Sequence, residues 1–277
     1  MSPRTITLAN TTIHYWTYHD EAPRTMILIH GFTGSHDGFQ YLEPLLDDTH
    51  LIIPDLPGFG VSDLPPHEDW SIDRLAALTN EFVAALKLKK PPIILGHSMG
   101  GLIASSMVDQ QPELYDEKVI LISPVPTAVR GIDARQPGKI LGNIQYSVGS
   151  RSKRVLHSRL TSRITTNLII TTRDKQLRRS IYQHHYDNLD HISSGAYYRA
   201  IYRDINNRGA IDHSHALHTK RVLLIASKHD RAIPLTHVRT LAQAIEPERF
   251  IVLPHAGHLT HYETPHELTR EITSFIC

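Results

Sequence analysis

The chain has 277 residues, of which 40% are hydrophobic and 21% charged, and its formal net charge is +1. This composition is typical of a globular protein, and the length fits one large α/β domain or two ordinary domains. No apolar run approaches the roughly 18 residues of a membrane-spanning helix. The first residues lack the apolar core of a signal peptide. Cys277 is the only cysteine, which excludes an internal disulfide, and we expect a cytoplasmic location.

Short apolar segments alternate with helical patterns along most of the chain. The first two segments, TITLA and TIHYWTY, predict a β-hairpin. The later segments are continuously apolar, as is typical of strands in a parallel sheet that is covered on both faces. They read TMILIHG, HLIIPDL, PPIILGHS, KVILISP, RVLLIASKHD and RFIVLP.

Helical patterns separate these strands. Ser71 is a predicted N-cap, and the helix behind it has an apolar stripe formed by Ile72, Leu75, Ala76, Phe82, Val83 and Leu86. Further helices are predicted for SMGGLIASSMVDQQP, PLTHVRTLAQAIEP and TPHELTREITSFI. The βαβα order predicts an α/β fold with a mostly parallel, doubly wound sheet.

The alternation stops after ISPVP at residue 126 and resumes at RVLLIAS near residue 221. The stretch between contains helical patterns, clearest in DKQLRRSIYQHHYDNL and SGAYYRAIYRDINN, without comparable strands. We therefore predict a core domain formed by residues 1–124 and 218–277. Residues 125–217 are predicted to form an inserted helical cap over the C-terminal edge of the sheet, where open α/β sheets bind ligands.

The predicted cap is basic, with a formal charge of +9, whereas the rest of the chain carries −8. It is interpreted either as a solvated, Arg-rich insertion or as a segment that attracts an anionic substrate or acidic partner. The candidate cations are Arg151, Arg154, Arg159, Arg163, Arg178 and Arg179. Six tyrosines of this region are expected to form either the cap's own core or an acyl pocket: Tyr146, Tyr182, Tyr186, Tyr197, Tyr198 and Tyr202.

The segment PIILGHSMGGLIASS places a G-x-S-x-G motif, Gly96 to Gly100, between a predicted strand and a predicted helix. The two glycines would allow a tight turn in which larger side chains would clash. Such a turn raises the Ser98 hydroxyl above the sheet and leaves the Met99 N–H at a helix N-terminus, where negative charge is stabilised. An ordinary Gly/Ser turn is the alternative interpretation.

Five segments of the chain resemble loops of the α/β-hydrolase superfamily. They are LIHGFTGS, IPDLPGFGVSD, GHSMGG, ASKHDRAIP and PHAGHLTHYETP. The first resembles the family's oxyanion loop, the third its nucleophile elbow, and the last two its acid and histidine loops. The resemblance covers about residues 25–124 and 220–277, and it is to the esterase-like and lipase-like branch with a helical lid. It implies the α/β-hydrolase fold and serine-dependent acyl transfer.

The resemblance also implies catalytic residues, because the family's chain order is serine, acid, histidine. It assigns the nucleophile to Ser98, the acid to Asp230 at the end of a later strand, and the base to His258. Asp204 and Asp212 are poorer candidates for the acid because they fall in the insertion. The oxyanion hole would be formed by the backbone N–H groups of Phe32 and Met99.

The stretch LPHAGHLTHYETPHELTREI near the C-terminus contains four histidines, and the family's residue spacing selects one of them as the base. His258 alone follows a glycine, Gly257, and precedes the Glu263–Pro265 pair at the family's spacing. The H-x2-H-x2-H pattern alternatively suggests a metal site, with the three histidines on one face of a helix. The Pro and Gly in this stretch disfavour a helix, and no further ligand motif completes a metal site. We therefore expect neither metal nor cofactor. The three other histidines of this stretch, His255, His261 and His266, are expected not to react, and the same is expected of His97 beside the serine.

These features predict a serine hydrolase that cleaves a carboxylic ester through an acyl-enzyme. The basic cap suggests an anionic or carrier-linked substrate, such as an acyl-carrier-protein methyl ester. Two alternatives remain open at this point: a lyase similar to the menaquinone-pathway synthase of this fold, and a non-catalytic ligand-binding protein. A nucleic-acid partner is not expected, since the predicted core is acidic and carries no binding motif.

Overall fold

A computed structural model of the protein, which describes residues 3–66, 70–128 and 158–277, is built around one mixed β-sheet. Within these residues the sheet has eight strands, in the order β1-β2-β4-β3-β5-β6-β7-β8. The strands are β1 (Arg4–Leu8), β2 (Thr11–Tyr18), β3 (Arg24–Ile29), β4 (Thr49–Pro54), β5 (Ile93–His97), β6 (Lys118–Ile122), β7 (Arg221–Ser227) and β8 (Arg249–Leu253).

The pairing of the strands agrees with the sequence patterns. The predicted hairpin is present, since β1 pairs antiparallel with β2, and β2 pairs antiparallel with β4. All the remaining pairs, from β4 through β8, are parallel. The prediction of a mostly parallel sheet is therefore confirmed.

The same residues contain nine α-helices that flank the sheet. They are α1 (Ile72–Ala85), α2 (Met99–Gln110), α3 (Arg159–Ile169), α4 (Lys175–Asp190), α5 (Gly195–Asn207), α6 (Ser214–His218), α7 (Leu235–Ile245), α8 (Thr260–Glu263) and α9 (Pro265–Ile276). Ser71 caps α1 as predicted, because its side chain accepts the N–H of Arg74 at 3.2 Å.

Both faces of the sheet are buried, which explains the continuously apolar strands. On β3, Ile27 and Ile29 join the cluster that contains α1 and α2, whereas Met26 and Leu28 face the cluster that contains α9. Successive side chains of a strand point to opposite faces, so a strand covered on both sides needs apolar residues at every position. Because β5, β7 and β8 are parallel, the loops that follow them meet at one edge.

Helix α5 packs directly on the loop after β4. The Tyr197 hydroxyl donates to the Pro57 carbonyl at 2.7 Å, and both Tyr197 and Tyr198 are buried in the cluster that holds α1 and α2. These two tyrosines thus belong to a core shared with α1 and α2 rather than to a separate core of the predicted cap. Gly58 has φ +79°, and a Cβ there would lie 2.3 Å from the Tyr197 ring.

Three of the predicted cationic side chains contact neighbours within the predicted cap. The guanidinium groups of Arg159 and Arg163 lie 4.7 Å and 5.5 Å from the ring centroids of Tyr186 and Tyr182. Arg178 donates to the Thr172 carbonyl at 2.9 Å. These side chains therefore support the packing of α3 against α4.

Part of the predicted cap, including Tyr146, Arg151 and Arg154, lies outside the described residues. The division into a core of residues 1–124 and 218–277 and a cap of residues 125–217 stays a prediction. Where the structure describes the chain, it contains no helix long and apolar enough to cross a membrane.

The contact between α5 and the loop after β4 can be tested at Gly58. Gly58→Ala should lower the free energy of unfolding by about 1–3 kcal/mol or more, because alanine is strained at positive φ and its Cβ overlaps the Tyr197 ring. Urea denaturation measures the change. Gly38→Ala is the matched control, since a Cβ at that buried glycine meets nothing within 4 Å. Equal stability of the two variants would contradict the contact.

Candidate active site

Ser98 occupies a strained turn between β5 and α2. Its backbone has φ +55° and ψ −119°, in the region that L-residues rarely adopt. The strain is held by hydrogen bonds on both sides, because the Ser98 N–H donates to the Ile122 carbonyl at 3.0 Å and the Ser98 carbonyl accepts from Gly101 at 3.0 Å. This geometry matches the tight strand–turn–helix connection predicted from the motif.

The glycines of the motif are required by close backbone approach. A Cβ on Gly96 would lie 2.3 Å from the Gly100 carbonyl oxygen, and a Cβ on Gly100 would lie 2.1 Å from the Ile29 carbonyl oxygen. The crowding predicted between the residues two before and two after Ser98 is therefore present. It also brings the end of β3, and with it the following loop, against the turn.

The structure brings Ser98, His258 and Asp230 together, although they come from three different loops. The Ser98 hydroxyl lies 2.9 Å from Nε2 of His258, and Nδ1 of His258 lies 2.7 Å from Oδ2 of Asp230. A carboxylate only accepts hydrogen bonds, so Nδ1 carries the proton and donates to Asp230. Nε2 is then left to accept the proton of the Ser98 hydroxyl, which is the tautomer that a general base requires.

The Asp230 carboxylate is fixed by the backbone as well. Its Oδ1 accepts the N–H groups of Ala232 and Ile233, both at 2.8 Å, and its side chain is only 1% exposed. One oxygen thus anchors the group, and the other faces His258. The two alternative acids are used elsewhere, since Asp204 accepts from the Ile72 N–H and Asp212 from the Gly209 N–H.

The loop after β3 lies beside the serine. A Cβ on Gly31 would be 3.3 Å from Cβ of Ser98, and the next residue, Phe32, lines the same cavity as Ser98. The Phe32 ring packs on Tyr198, with 5.5 Å between ring centroids. Met99 begins α2, and the first N–H groups of a helix have no partner within the helix. The role of these two peptide groups as an oxyanion hole stays a prediction.

Two neighbouring histidines are buried and uncharged at neutral pH. Burial, with the charge of His258 adding to it, lowers the pKa of His97 to about 3, and burial holds the pKa of His261 well below its ordinary value. The His97 Nε2–H donates to the His258 carbonyl at 2.9 Å. His97 therefore packs, as predicted, and it also supports the histidine loop. His255 and His266 are exposed.

A cavity of about 90 Å³ adjoins Ser98 and His258. Its wall includes Ile169 of α3 and three polar residues of α4, namely His184, His185 and Asn188. The sequence placed candidate substrate-binding residues only broadly, within residues 125–217. It did not single out these four, because α4 reads as an ordinary polar helix and its contacts join residues far apart in the chain.

The polar wall of the cavity is hydrogen-bonded to the loop after β3. The Ser35 hydroxyl donates to Oδ1 of Asn188 at 2.9 Å, across 153 residues of sequence, and Asn188 in turn bonds Nε2 of His184 at 3.1 Å. Burial lowers the pKa of His184, and it lowers the pKa of His185 to about 3. This wall is thus polar but uncharged. In the described part of the chain, no group of three or more His, Cys, Asp or Glu side chains is arranged to hold a metal ion.

A second feature that sequence analysis missed is an ion pair beside the loop after β3. Oδ1 of Asp55 accepts the backbone N–H of His36 at 2.7 Å and lies 3.0 Å from its Nδ1. Asp37 contacts Nε2 at 2.8 Å, and the His36 ring stacks on Trp16. Burial opposes the charge on His36, but the hydrogen bonds and charges of the two carboxylates outweigh it and raise its pKa to about 9.

Comparison with known proteins places the fold. Residues 24–265 match the family model described as alpha/beta hydrolase fold. The uncharacterized hydrolase YugF of Bacillus subtilis (strain 168) is 28% identical over 277 residues, which cover 99% of this chain and 97% of that protein.

Two further similarities cover different shares of the chain. Lipase 3 of Moraxella sp. (strain TA144) is 35% identical over 112 residues, 38% of this chain, and the match spans only 36% of the lipase. A thermophilic esterase from Thermogutta terrifontis superposes with a TM-score of 0.79 over 100% of this chain and 98% of its own, at 19% identity. At that identity the likeness concerns the fold alone.

The charged state of His36 should appear in the pH dependence of stability. Its pKa is raised above the unfolded value of 6.5, so its contribution is fully present below pH 6.5 and is lost as pH rises through about 9. Each pKa unit corresponds to about 1.4 kcal/mol, so the loss should reach a few kcal/mol at most. Urea denaturation between neutral and alkaline pH measures it.

The matched variants are His36→Gln and His266→Gln. The first should lower stability at neutral pH and remove most of the alkaline decline, whereas the second, at an exposed histidine, should behave like the wild type. An unchanged alkaline decline in His36→Gln would show that another group titrates.

Proposed function

This chain belongs to the alpha/beta hydrolase fold family, and on that premise we propose that it is a serine hydrolase of carboxylic esters. The observation that carries the proposal is the chain of two hydrogen bonds from Ser98 through His258 to Asp230, at 2.9 Å and 2.7 Å. A serine hydroxyl is a weak nucleophile until an adjacent, oriented base accepts its proton. The named hydrolase and lipase relatives support the same class of reaction.

In the proposed acylation, Oγ of Ser98 attacks the ester carbonyl carbon while Nε2 of His258 takes the hydroxyl proton. The carbonyl oxygen becomes negative and is stabilised by the N–H groups of Phe32 and Met99. His258 then gives the proton to the departing alkoxide, so an alcohol leaves and an acyl-serine remains. Asp230 keeps the imidazole in the correct tautomer and stabilises its transient positive charge.

Deacylation repeats these steps with water in place of the serine. His258 removes a proton from water, the resulting oxygen attacks the acyl carbon, and the proton returns to Ser98 as the carboxylic acid leaves. The buried neutral states of His97 and His261 suit this cycle, because neither adds a positive charge that would oppose the imidazolium.

We propose a small, uncharged ester as substrate. The cavity is small, and its described lining contains no Lys or Arg. Arg159, Arg163 and Arg178 contact tyrosines or backbone of the insertion. An anionic or carrier-linked substrate, such as an acyl-carrier-protein methyl ester, stays a prediction that these contacts do not support. The lyase alternative is distinguished by its products, because it would perform an elimination rather than a hydrolysis.

Labelling with a fluorophosphonate probe tests the nucleophile. The wild type should be labelled, and Ser98→Ala should abolish labelling. Hydrolysis of p-nitrophenyl acetate should fall by about 10⁴- to 10⁶-fold in both Ser98→Ala and His258→Ala. His255→Ala and His266→Ala are the matched controls, since both side chains are exposed, and they should keep most activity. No labelling of folded wild-type protein would favour the non-catalytic alternative.

Salt dependence tests the substrate class. Turnover of a neutral short ester, and of the same acyl group on an acidic carrier protein, is measured at rising ionic strength. We expect the neutral ester to be hydrolysed with little salt dependence, because no charged contact is needed. A strong preference for the carrier-linked ester that disappears with salt would instead support the basic insertion as a docking surface.

A further inference from the structure

The carboxylate of Glu263 joins the histidine loop to the insertion. Its Oε2 accepts the Gly257 N–H at 2.6 Å. Its Oε1 accepts the N–H groups of Thr171 and Thr172, both at 2.5 Å, and the Thr171 hydroxyl at 3.0 Å. Four donors from two distant parts of the chain therefore converge on one side chain.

A second contact joins the same two parts without any side chain. The His258 N–H donates to the Ile169 carbonyl at 2.8 Å. The fit is close, since a Cβ on Gly257 would lie 2.6 Å from the Ile169 oxygen and 2.9 Å from Oε2 of Glu263. The backbone of residues 169–172, here named the bridging segment, thus lies directly on the histidine loop.

The bridging segment also fixes one wall of the cavity. It begins at the last residue of α3 and forms part of the connection to α4, and these helices supply the lining residues Ile169, His184, His185 and Asn188. The same short piece of backbone therefore sets the position of the cavity wall and contacts the residue proposed as the base.

We propose that Glu263 is a positioning residue that holds the imidazole of His258 in line with Ser98 by clamping the Gly257 peptide to the bridging segment. The proposal rests on the proposed function. The chemistry requires a carboxylate, because each oxygen accepts from a different part of the chain. A glutamine has one oxygen, so its NH₂ group would face an N–H donor on one of the two sides and release that contact.

The test compares Glu263→Gln and Glu263→Asp with Glu267→Gln. Glu267 lies four residues further on, in the first turn of α9, so its variant removes the same charge from the same part of the chain. Each variant is first shown to be folded by circular dichroism. The kinetic constants for p-nitrophenyl acetate and the rate of fluorophosphonate labelling are then measured.

Glu263→Gln should lower kcat and the labelling rate by about 10- to 100-fold with KM little changed, since a misplacement of about 1 Å at a reacting group costs about 100-fold. Glu263→Asp, which keeps two acceptor oxygens, should recover part of the loss, and Glu267→Gln should match the wild type. A folded Glu263→Gln variant with wild-type kcat and labelling rate would overturn the proposal, even if its melting temperature were lower.

A spectroscopic measurement keeps the two proposals separate. The proton on Nδ1 of His258, shared with Asp230, should give a low-field ¹H resonance in the wild type that shifts or broadens in Glu263→Gln and stays in Glu267→Gln. If the wild type neither hydrolyses esters nor reacts with the probe, the proposed function fails, and this resonance still decides the positioning role. An identical resonance in all variants would refute it.

Discussion

The contact of three backbone segments at the Ser98 turn is the constraint on which the rest of the site depends. Gly96 faces Gly100, and Gly100 faces the end of β3, at distances that leave no room for a Cβ. This contact sets the height of the hydroxyl above the sheet. It also brings the loop of Phe32 beside the serine. The loops after β7 and β8 carry Asp230 and His258. Because their strands are parallel, both loops extend from the same edge of the sheet and complete the hydrogen bonds to Ser98.

The sequence was sufficient to predict those structural features that follow from a repeating pattern of residues or from local backbone geometry. Continuous apolar runs identified the strands, because a sheet buried on both faces leaves no polar positions, and the glycines around Ser98 followed from sterics. The register of His258 came from resemblance and not from physics. The partners of Asp55 and Asn188 could not be predicted. Asp55 contacts His36, and Asn188 contacts Ser35. Only the folded chain brings these pairs together, and no periodic sequence pattern marks them.

Charge is distributed unevenly around the serine. Histidines line the cavity, yet burial keeps His97, His185 and His261 neutral, whereas two carboxylates keep His36 protonated nearby. The proposed mechanism forms an imidazolium on His258 that faces Asp230. None of these three histidines would add a second positive charge beside it. Burial disfavours the charged form of an imidazole, so the packing of these three histidines also keeps them uncharged beside His258.

The bridging segment limits how the cavity could be enlarged to accept a larger substrate. Here the Ile169 carbonyl accepts the N–H of His258, and Glu263 binds both sides of the contact. A larger acyl group that pushed the wall of α3 and α4 outward would pull on the same peptide that supports the base. If Glu263 positions His258 as proposed, substrate size and turnover would be coupled through these backbone hydrogen bonds, and a wider cavity would require a longer or rebuilt segment between α3 and α4.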